Sequence, residues 1–229
     1  QLRPKPTGHQ VPLPSTFAPT LSSLAITPTS NVYNDITLTC SVVVTDPDES
    51  LTPTYEWSSG STVVGSGSTL DLSSAGTMPD DVVTCSVSVV DGDGESASDS
   101  TTTTVENRAP SVSGATITPS TGVTTGTALT CAATVTDDDG EIPSVTYEWQ
   151  VGSNTYTGDS LNLDNTMVSP SDSITCTVSA EDGYGGTASD SASITVENSV
   201  PVLSDVSITP DVNVNSTTLL TCGYTASDD

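Results

Sequence analysis

Apolar residues in this chain fall on every second position, in short runs that return at a constant interval. Around Cys40, the residues Ile36, Leu38, Cys40, Val42 and Val44 alternate with Thr37, Thr39, Ser41, Val43 and Thr45, which predicts a strand with one buried face. Val83, Cys85, Val87 and Val89 predict a second such strand. Leu129, Cys131, Ala133 and Val135, and then Ile174, Cys176, Val178 and Ala180, repeat the two patterns further along. Tyr55-Glu56-Trp57 and Tyr147-Glu148-Trp149 put Tyr and Trp on one face with Glu outward. Leu70/Leu72 and Leu161/Leu163 mark another short strand, and Val105 and Val196 close each repeat. Asp91-Gly92-Asp93-Gly94, Asp139-Gly140 and Asp182-Gly183-Tyr184-Gly185 are turn signals between these runs. No stretch reads as a helix of useful length.

The interval is 91 residues. Cys40, Cys131 and Cys222 keep it, as do Thr27-Pro28, Thr118-Pro119 and Thr209-Pro210, and also Cys85 and Cys176; Trp57 and Trp149 are 92 apart. A period this long means tandem domains, each with its own core. About seven short strands per repeat predict a sandwich, and the order Cys, Trp, Cys resembles the immunoglobulin (Ig) fold. The likeness has departures. Val83 and Ile174 stand where antibody domains carry Tyr, and the 45 residues between the cysteines of one repeat are few for an antibody domain. Over residues 21–229 the chain is more similar to the Ig-like and cadherin-like repeats of large prokaryotic (bacterial or archaeal) extracellular surface or fibre proteins. That resemblance implies display outside the cell rather than a particular activity.

The expected fold is therefore all-β: tandem Ig-like β-sandwiches of about 91 residues, each with one inter-sheet disulfide. An extended Pro-rich arm (1–20) precedes domain 1 (21–108) and domain 2 (109–199), and residues 200–229 supply the first strands of a partial third sandwich. Four cysteines allow three pairings. Equal spacing within each repeat favours Cys40–Cys85 and Cys131–Cys176, and leaves Cys222 unpaired.

Charge narrows the partners. Three Lys or Arg face 29 Asp or Glu, a formal charge of −26, which disfavours nucleic acid and anionic membrane and attracts cations. No apolar run is long enough to cross a bilayer. Five cysteines in a Ser/Thr-rich, Lys-poor chain point to an oxidising, extracellular setting. The start at Gln1 without Met points to a processed or excised product.

The two ends carry the expectations of self-association. Val206, Ile208, Thr209-Pro210, Leu220 and Cys222 repeat the opening of the module, and such strands cannot bury their apolar face alone. Either the natural chain continues, or a neighbouring subunit supplies strands. Residues 1–20 hold Pro4, Pro6, Pro12, Pro14, Pro19, His9, Phe17, Arg3 and Lys5 and no acid. They read as a linker or stalk, or as an arm that docks on an acidic neighbour. His9 reads as a bystander.

The acidic turns predict calcium. The turn after the second main strand and the turn before the last strand share one end of an Ig-like sandwich, where the preceding linker also enters. This gathers Asp137, Asp138, Asp139 and Asp182 near Glu106 and Asn107, with Glu197, Asn198, Asp228 and Asp229 as a second set. Several carboxylates with an amide oxygen suit Ca²⁺, and the arrangement resembles cadherin linkers. Asp46, Asp48, Asp91 and Asp93 form a third group, without a preceding linker motif. The plainer reading is that Asp and Gly build tight turns and keep the surface soluble.

Catalysis is not expected: one His, two Arg and one Lys provide no base–nucleophile pair and no phosphate-binding loop. The leading function is structural, a subunit of an extracellular stalk or self-assembling fibre. The alternative is an adhesin for a carbohydrate or host-surface protein, with Tyr156 and Tyr184 as its surface candidates. Asn215-Ser216-Thr217 is an N-glycosylation acceptor, and the Ser/Thr content admits O-glycosylation.

Overall fold

A computed structural model describes residues 17–228; residues 1–16, with most of the arm, and Asp229 lie outside the described residues. The chain divides into two units, residues 1–107 and 108–229, each with its own apolar cluster. In the first, β1 (Thr20–Thr27), β2 (Thr37–Thr45) and β5 (Thr69–Asp71) form a sheet in the order β1-β2-β5. Against it stands a second sheet of β3 (Thr54–Ser59), β4 (Thr62–Ser66), β6 (Val82–Val90) and β7 (Ser96–Thr104), in the order β4-β3-β6-β7.

The second unit repeats the plan. One sheet has the order β12-β9-β8, from β8 (Ser111–Thr118), β9 (Ala128–Thr136) and β12 (Ser160–Asn162). The other has the order β11-β10-β13-β14, from β10 (Ser144–Val151), β11 (Asn154–Thr157), β13 (Ser173–Glu181) and β14 (Thr187–Thr195). A hairpin of β15 (Val202–Thr209) and β16 (Thr221–Ser227) follows. Seven antiparallel strands in a three-plus-four sandwich make up each finished module, as the alternation predicts.

The inward residues explain the packing. Leu38 and Cys40 on β2 and Val83, Cys85 and Val87 on β6 are almost wholly buried, and so are their counterparts Leu129, Cys131, Ile174, Cys176 and Val178. The disulfides Cys40–Cys85 and Cys131–Cys176 join the two sheets, with Cα atoms 6.5 and 6.4 Å apart. Trp57 is the direct cross-strand partner of Cys85, and Trp149 of Cys176. Both indoles have 0% exposure, and each donates its N–H to a backbone carbonyl, Gly67 or Gly158, at 2.9 Å. The one polar atom of the largest core side chain is thereby satisfied.

The hairpin that opens a module is built three times in the same register. Ile26 pairs with Cys40, Ile117 with Cys131 and Ile208 with Cys222. Each first strand is bulged at the same step, where Ser23, Gly114 and Asp205 adopt φ of 54°, 66° and 52°. A bulge re-aims the strand and increases its twist.

Several details depart from the alternation. Leu72 belongs not to a strand but to a helical turn, α1 (Leu72–Ala75), while Leu163 lies just beyond β12. The Asp71 carboxylate starts α1 by accepting from the Ser73 N–H at 3.1 Å, and Gly76 ends it at φ 67°. β4 and β11 carry too few apolar residues to be seen as strands. β7 and β14 are mostly Ser, Thr and Ala, yet all nine residues of each pair along β6 and β13.

Replacing Cys131 and Cys176 together by alanine is expected to destabilise the second unit by about 4 kcal/mol through lost loop closure. Denaturant unfolding, with the Trp57 and Trp149 signals separated by single Trp→Phe variants, checks that the first unit keeps its midpoint.

Candidate cation site at the acidic loops of the second unit

Two loops of the second unit carry the chemistry: residues 137–141 between β9 and β10, and residues 182–186 between β13 and β14. Their Asp residues first of all build the loops. Asp137 Oδ1 accepts from the Asp139 N–H at 2.8 Å. Asp182 Oδ1 accepts from the Tyr184 and Gly186 N–H groups, both at 2.8 Å. The first unit does the same: Asp46 Oδ1 accepts from the Asp48 and Glu49 N–H groups at 2.8 and 3.0 Å, and Asp91 Oδ1 from those of Asp93 and Glu95 at 3.0 and 2.7 Å. A short carboxylate that bonds the backbone two residues on is the usual reason for Asp in a turn.

Arg108 then takes hold of the first loop. Its backbone N–H donates to Asp139 Oδ2 at 2.6 Å, its Nε and Nη2 reach Asp139 Oδ1 at 2.9 Å, and Nη2 also reaches the Asp138 carbonyl at 2.9 Å. The Asp139 side chain has 0% exposure and the arginine side chain 22%. Arg108 is the one Lys or Arg beyond residue 5, and it is bonded to a buried carboxylate. Phe17, 91 residues earlier, makes only the backbone part of this contact, its N–H donating to Asp48 Oδ2 at 3.1 Å. Arg108 was not among the expected site residues, because a single arginine among 29 acids gives no sign in the sequence of which carboxylate it meets.

Glu141 is the second residue missed. Asp137, Asp139 and Glu141 each offer a carboxylate oxygen, and these lie within 4.8 Å of one another. Asp137 Oδ2 and both Glu141 oxygens are buried without a hydrogen-bond partner. Burial pushes the Glu141 carboxyl above its ordinary range, and the neighbouring Asp137 and Asp139 carboxylates push it the same way. In the first unit Glu49 directly follows Asp48, and its Oε1 accepts from the Gly92 N–H at 2.7 Å. In the second, Gly140 at φ 91° stands between Asp139 and Glu141. The 92-residue step between the tryptophans was the visible trace of this longer loop. With Arg108 counted, three carboxylates leave a net charge of −2 when ionised, and Asp137, Asp139 and Glu141 together form a donor set that could hold a metal ion.

Several of the other expected ligands take local hydrogen bonds. Asp138 is exposed and enters through its carbonyl alone. Glu106 and Asn107 close the first unit, the Glu106 N–H donating to the Val32 carbonyl at 2.6 Å. In the second expected set, Glu197 Oε1 accepts from the Gly122 N–H at 2.6 Å, and the Asn198 side chain donates to the Ser199 carbonyl at 2.6 Å. Asp228 Oδ1 accepts from the Ser199 hydroxyl at 3.4 Å, and Asp229 lies outside the described residues. Asp48, Asp91 and Asp93 remain in the loops of the first unit, and Asp46 Oδ2 is buried there without a partner. Asn215 is exposed, its Oδ1 accepting from the Thr217 N–H and hydroxyl at 2.9 and 2.8 Å. Cys222 is an exposed free thiol. Tyr156 packs against the core and Tyr184 is 37% exposed.

Strand order and disulfides define the chain as a tandem of Ig-like β-sandwiches. No family model and no curated protein matches the sequence. Solved structures with a similar fold include three N-terminal domains of the Highly Immunogenic Outer Capsid protein of bacteriophage RB49. It is 20% identical over 93% of this chain and 70% of that one, with a TM-score of 0.29. A Ca²⁺-stabilised adhesin that helps an Antarctic bacterium reach out and bind ice is 17% identical over 86% of this chain and 54% of that one, TM-score 0.31. A 1.5-MDa bacterial ice-binding adhesin is 15% identical over 86% and 71%, TM-score 0.35.

Arg108→Ala removes the guanidinium from the buried Asp139 and leaves it the backbone N–H of residue 108; the change is expected to cost the second unit about 3 kcal/mol, at the low end for a buried pair because the guanidinium is partly exposed. Arg108→Ala with Asp139→Asn should recover part of the loss, measured by chemical denaturation. The pH profile has two opposed parts. Hydrogen bonds from Ser73, from Thr166, and from the Ala115 N–H hold Asp71, Asp164 and Asp190 below the ordinary carboxylate range. Their contribution is present above the ordinary pKa and is lost as pH falls through the lowered values. Glu141 runs the other way: its strain at neutral pH is relieved as pH falls through its raised pKa. Glu141→Gln is therefore expected to raise the melting temperature at neutral pH without added metal, and to lose that advantage as pH approaches the ordinary carboxylate range.

Proposed function

We propose that this chain is a non-enzymatic structural protein, part of an extracellular stalk or self-assembling fibre made of disulfide-stapled Ig-like modules. The observation that carries the reading is the threefold repetition of one bulged hairpin with one register, because a load-bearing rod needs equivalent units joined by short connections. Two oxidised cysteine pairs suit a compartment outside the reducing cytosol. The acid-free arm of residues 1–20 and the β15–β16 hairpin are the segments assigned to self-association. Negative-stain imaging tests the reading: regular filaments from purified chain support it, and isolated rods at all concentrations oppose it. Deletion of residues 1–20 then asks whether the arm takes part, with unchanged assembly excluding it.

Calcium belongs to this function as a stabiliser of the second unit. Asp137, Asp139 and Glu141 would hold the ion, which offsets the repulsion that Arg108 leaves uncompensated. Low-millimolar Ca²⁺ should raise the melting temperature of the native chain and leave Glu141→Gln unmoved, with Mg²⁺ weaker because it keeps its waters. Equal calorimetric shifts in both proteins would reject the assignment.

A second reading, adhesion to a polyhydroxylated ligand, is favoured by one feature. The outer faces of the two four-stranded sheets carry open depressions of about 640 and 560 Å³. Thr54, Glu56, Ser86 and Ser100 line the first, and Thr146, Ser179 and Ser189 the second. Chemical-shift changes at these hydroxyl residues on adding a polysaccharide panel would support it.

A further inference from the structure

Two departures from the repeat fall on the same three carboxylates. The first is Arg108. Its Nε and Nη2 reach Asp139 Oδ1 at 2.9 Å, and its backbone N–H donates to Asp139 Oδ2 at 2.6 Å. A carboxylate has about four acceptor positions, so residue 108 leaves Asp139 at most one for a metal ion. The second is Glu141, displaced by Gly140, whose two oxygens are buried without a hydrogen-bond partner, as is Asp137 Oδ2. The first unit has neither departure. Phe17 offers Asp48 a backbone N–H alone, and Glu49 is occupied by the Gly92 N–H at 2.7 Å. The second unit thus gains an extra buried carboxylate and, beside it, the one basic side chain beyond residue 5.

We propose that Arg108 sets the affinity of this loop for Ca²⁺, as a resident counter-ion that a bound calcium works against. The proposal rests on the calcium reading given above and names the residue that limits it. The guanidinium is bonded to Asp139, one of the three carboxylates whose oxygens lie within 4.8 Å of one another. Any ion held by the triad therefore sits a short distance from a fixed positive charge. Like charges that close, near a protein surface, repel by enough to change affinity about tenfold or more. Removing the guanidinium leaves the ionised triad at −3 in place of −2 and returns Oδ1 of Asp139 to the metal. Calcium, which takes six to eight oxygens, gains from both changes. Without calcium the same removal destabilises the loop, so Arg108 and the ion are alternative means of holding the same carboxylates together.

Titration calorimetry of the full chain with calcium chloride tests this. Arg108→Gln, which drops the charge, should bind calcium about tenfold more tightly than the native chain. Arg108→Lys, which keeps the charge and loses the two-pronged contact, should stay within about threefold of native. Heat belongs to the triad where it disappears on adding Glu141→Gln. Because Arg108→Gln weakens the second unit, melting is followed as well, with Trp149 as reporter in a Trp57→Phe background. The gap in melting temperature between native and Arg108→Gln should narrow as calcium rises, since tighter binding returns stability. Equal or weaker binding by Arg108→Gln, or a gap that stays constant or widens, overturns the proposal and makes Arg108 a positioning residue for Asp139. Binding by Arg108→Lys as tight as by Arg108→Gln also overturns it. In these cases calcium binding by the native chain still upholds the calcium reading. Calcium bound by Arg108→Gln and not by the native chain upholds the proposal and rejects calcium as the native ligand. Calcium bound by neither rejects both.

Discussion

One covalent bond beside one tryptophan holds each module together. Cys40–Cys85 and Cys131–Cys176 tie the centre of the three-stranded sheet to the centre of the four-stranded sheet, and Trp57 or Trp149 fills the space next to the bond. The sandwiches are otherwise lined by small residues, mainly Val, Leu, Ile and Ala. A core of that size gives limited hydrophobic stabilisation, so closing a 45-residue loop is a large share of the whole.

Negative charge is used locally before it is available to any ligand. Asp46, Asp91, Asp137 and Asp182 fold their own loops through backbone N–H groups. Asp71 caps α1, and Asp190 receives the Ala115 N–H at 2.9 Å, beside the bulge of β8. A formal charge of −26 thus overstates how many carboxylates are free to bind a cation. What distinguishes the loop at 137–141 is a combination: a buried Asp139 already matched by Arg108, and an added Gly140 that places Glu141 away from the amide its counterpart Glu49 finds. Carboxylate charge that the backbone does not hydrogen-bond is what sets this loop apart from the other acidic turns.

The legibility of this chain differed between strands and loops. β2, β6, β9 and β13 could be read from alternation because one of their faces is buried against the opposite sheet. β7 and β14 could not, because Ser and Thr give no apolar contrast; pairing along β6 and β13 recruits them. Leu72 shared the spacing of a strand residue, but Asp71, Ser73 and Ser74 offered the backbone a capped helical turn instead. Among the acids, Asp137 and Asp139 were expected together, whereas Glu141 was not, since a one-residue change in loop length is almost silent in composition.

The sequence by itself determined the period, the sandwich class, the cysteine spacing and the repeated opening hairpin, because each depends on residue type at short range or on exact recurrence. Only the tertiary structure decided which carboxylates are neutralised and which are left without a donor. Those properties arise where segments distant in the chain meet: Arg108 with Asp139, Glu49 with Gly92, β2 with β6. Periodicity reports that a face must be buried, and three-dimensional packing alone reports what buries it.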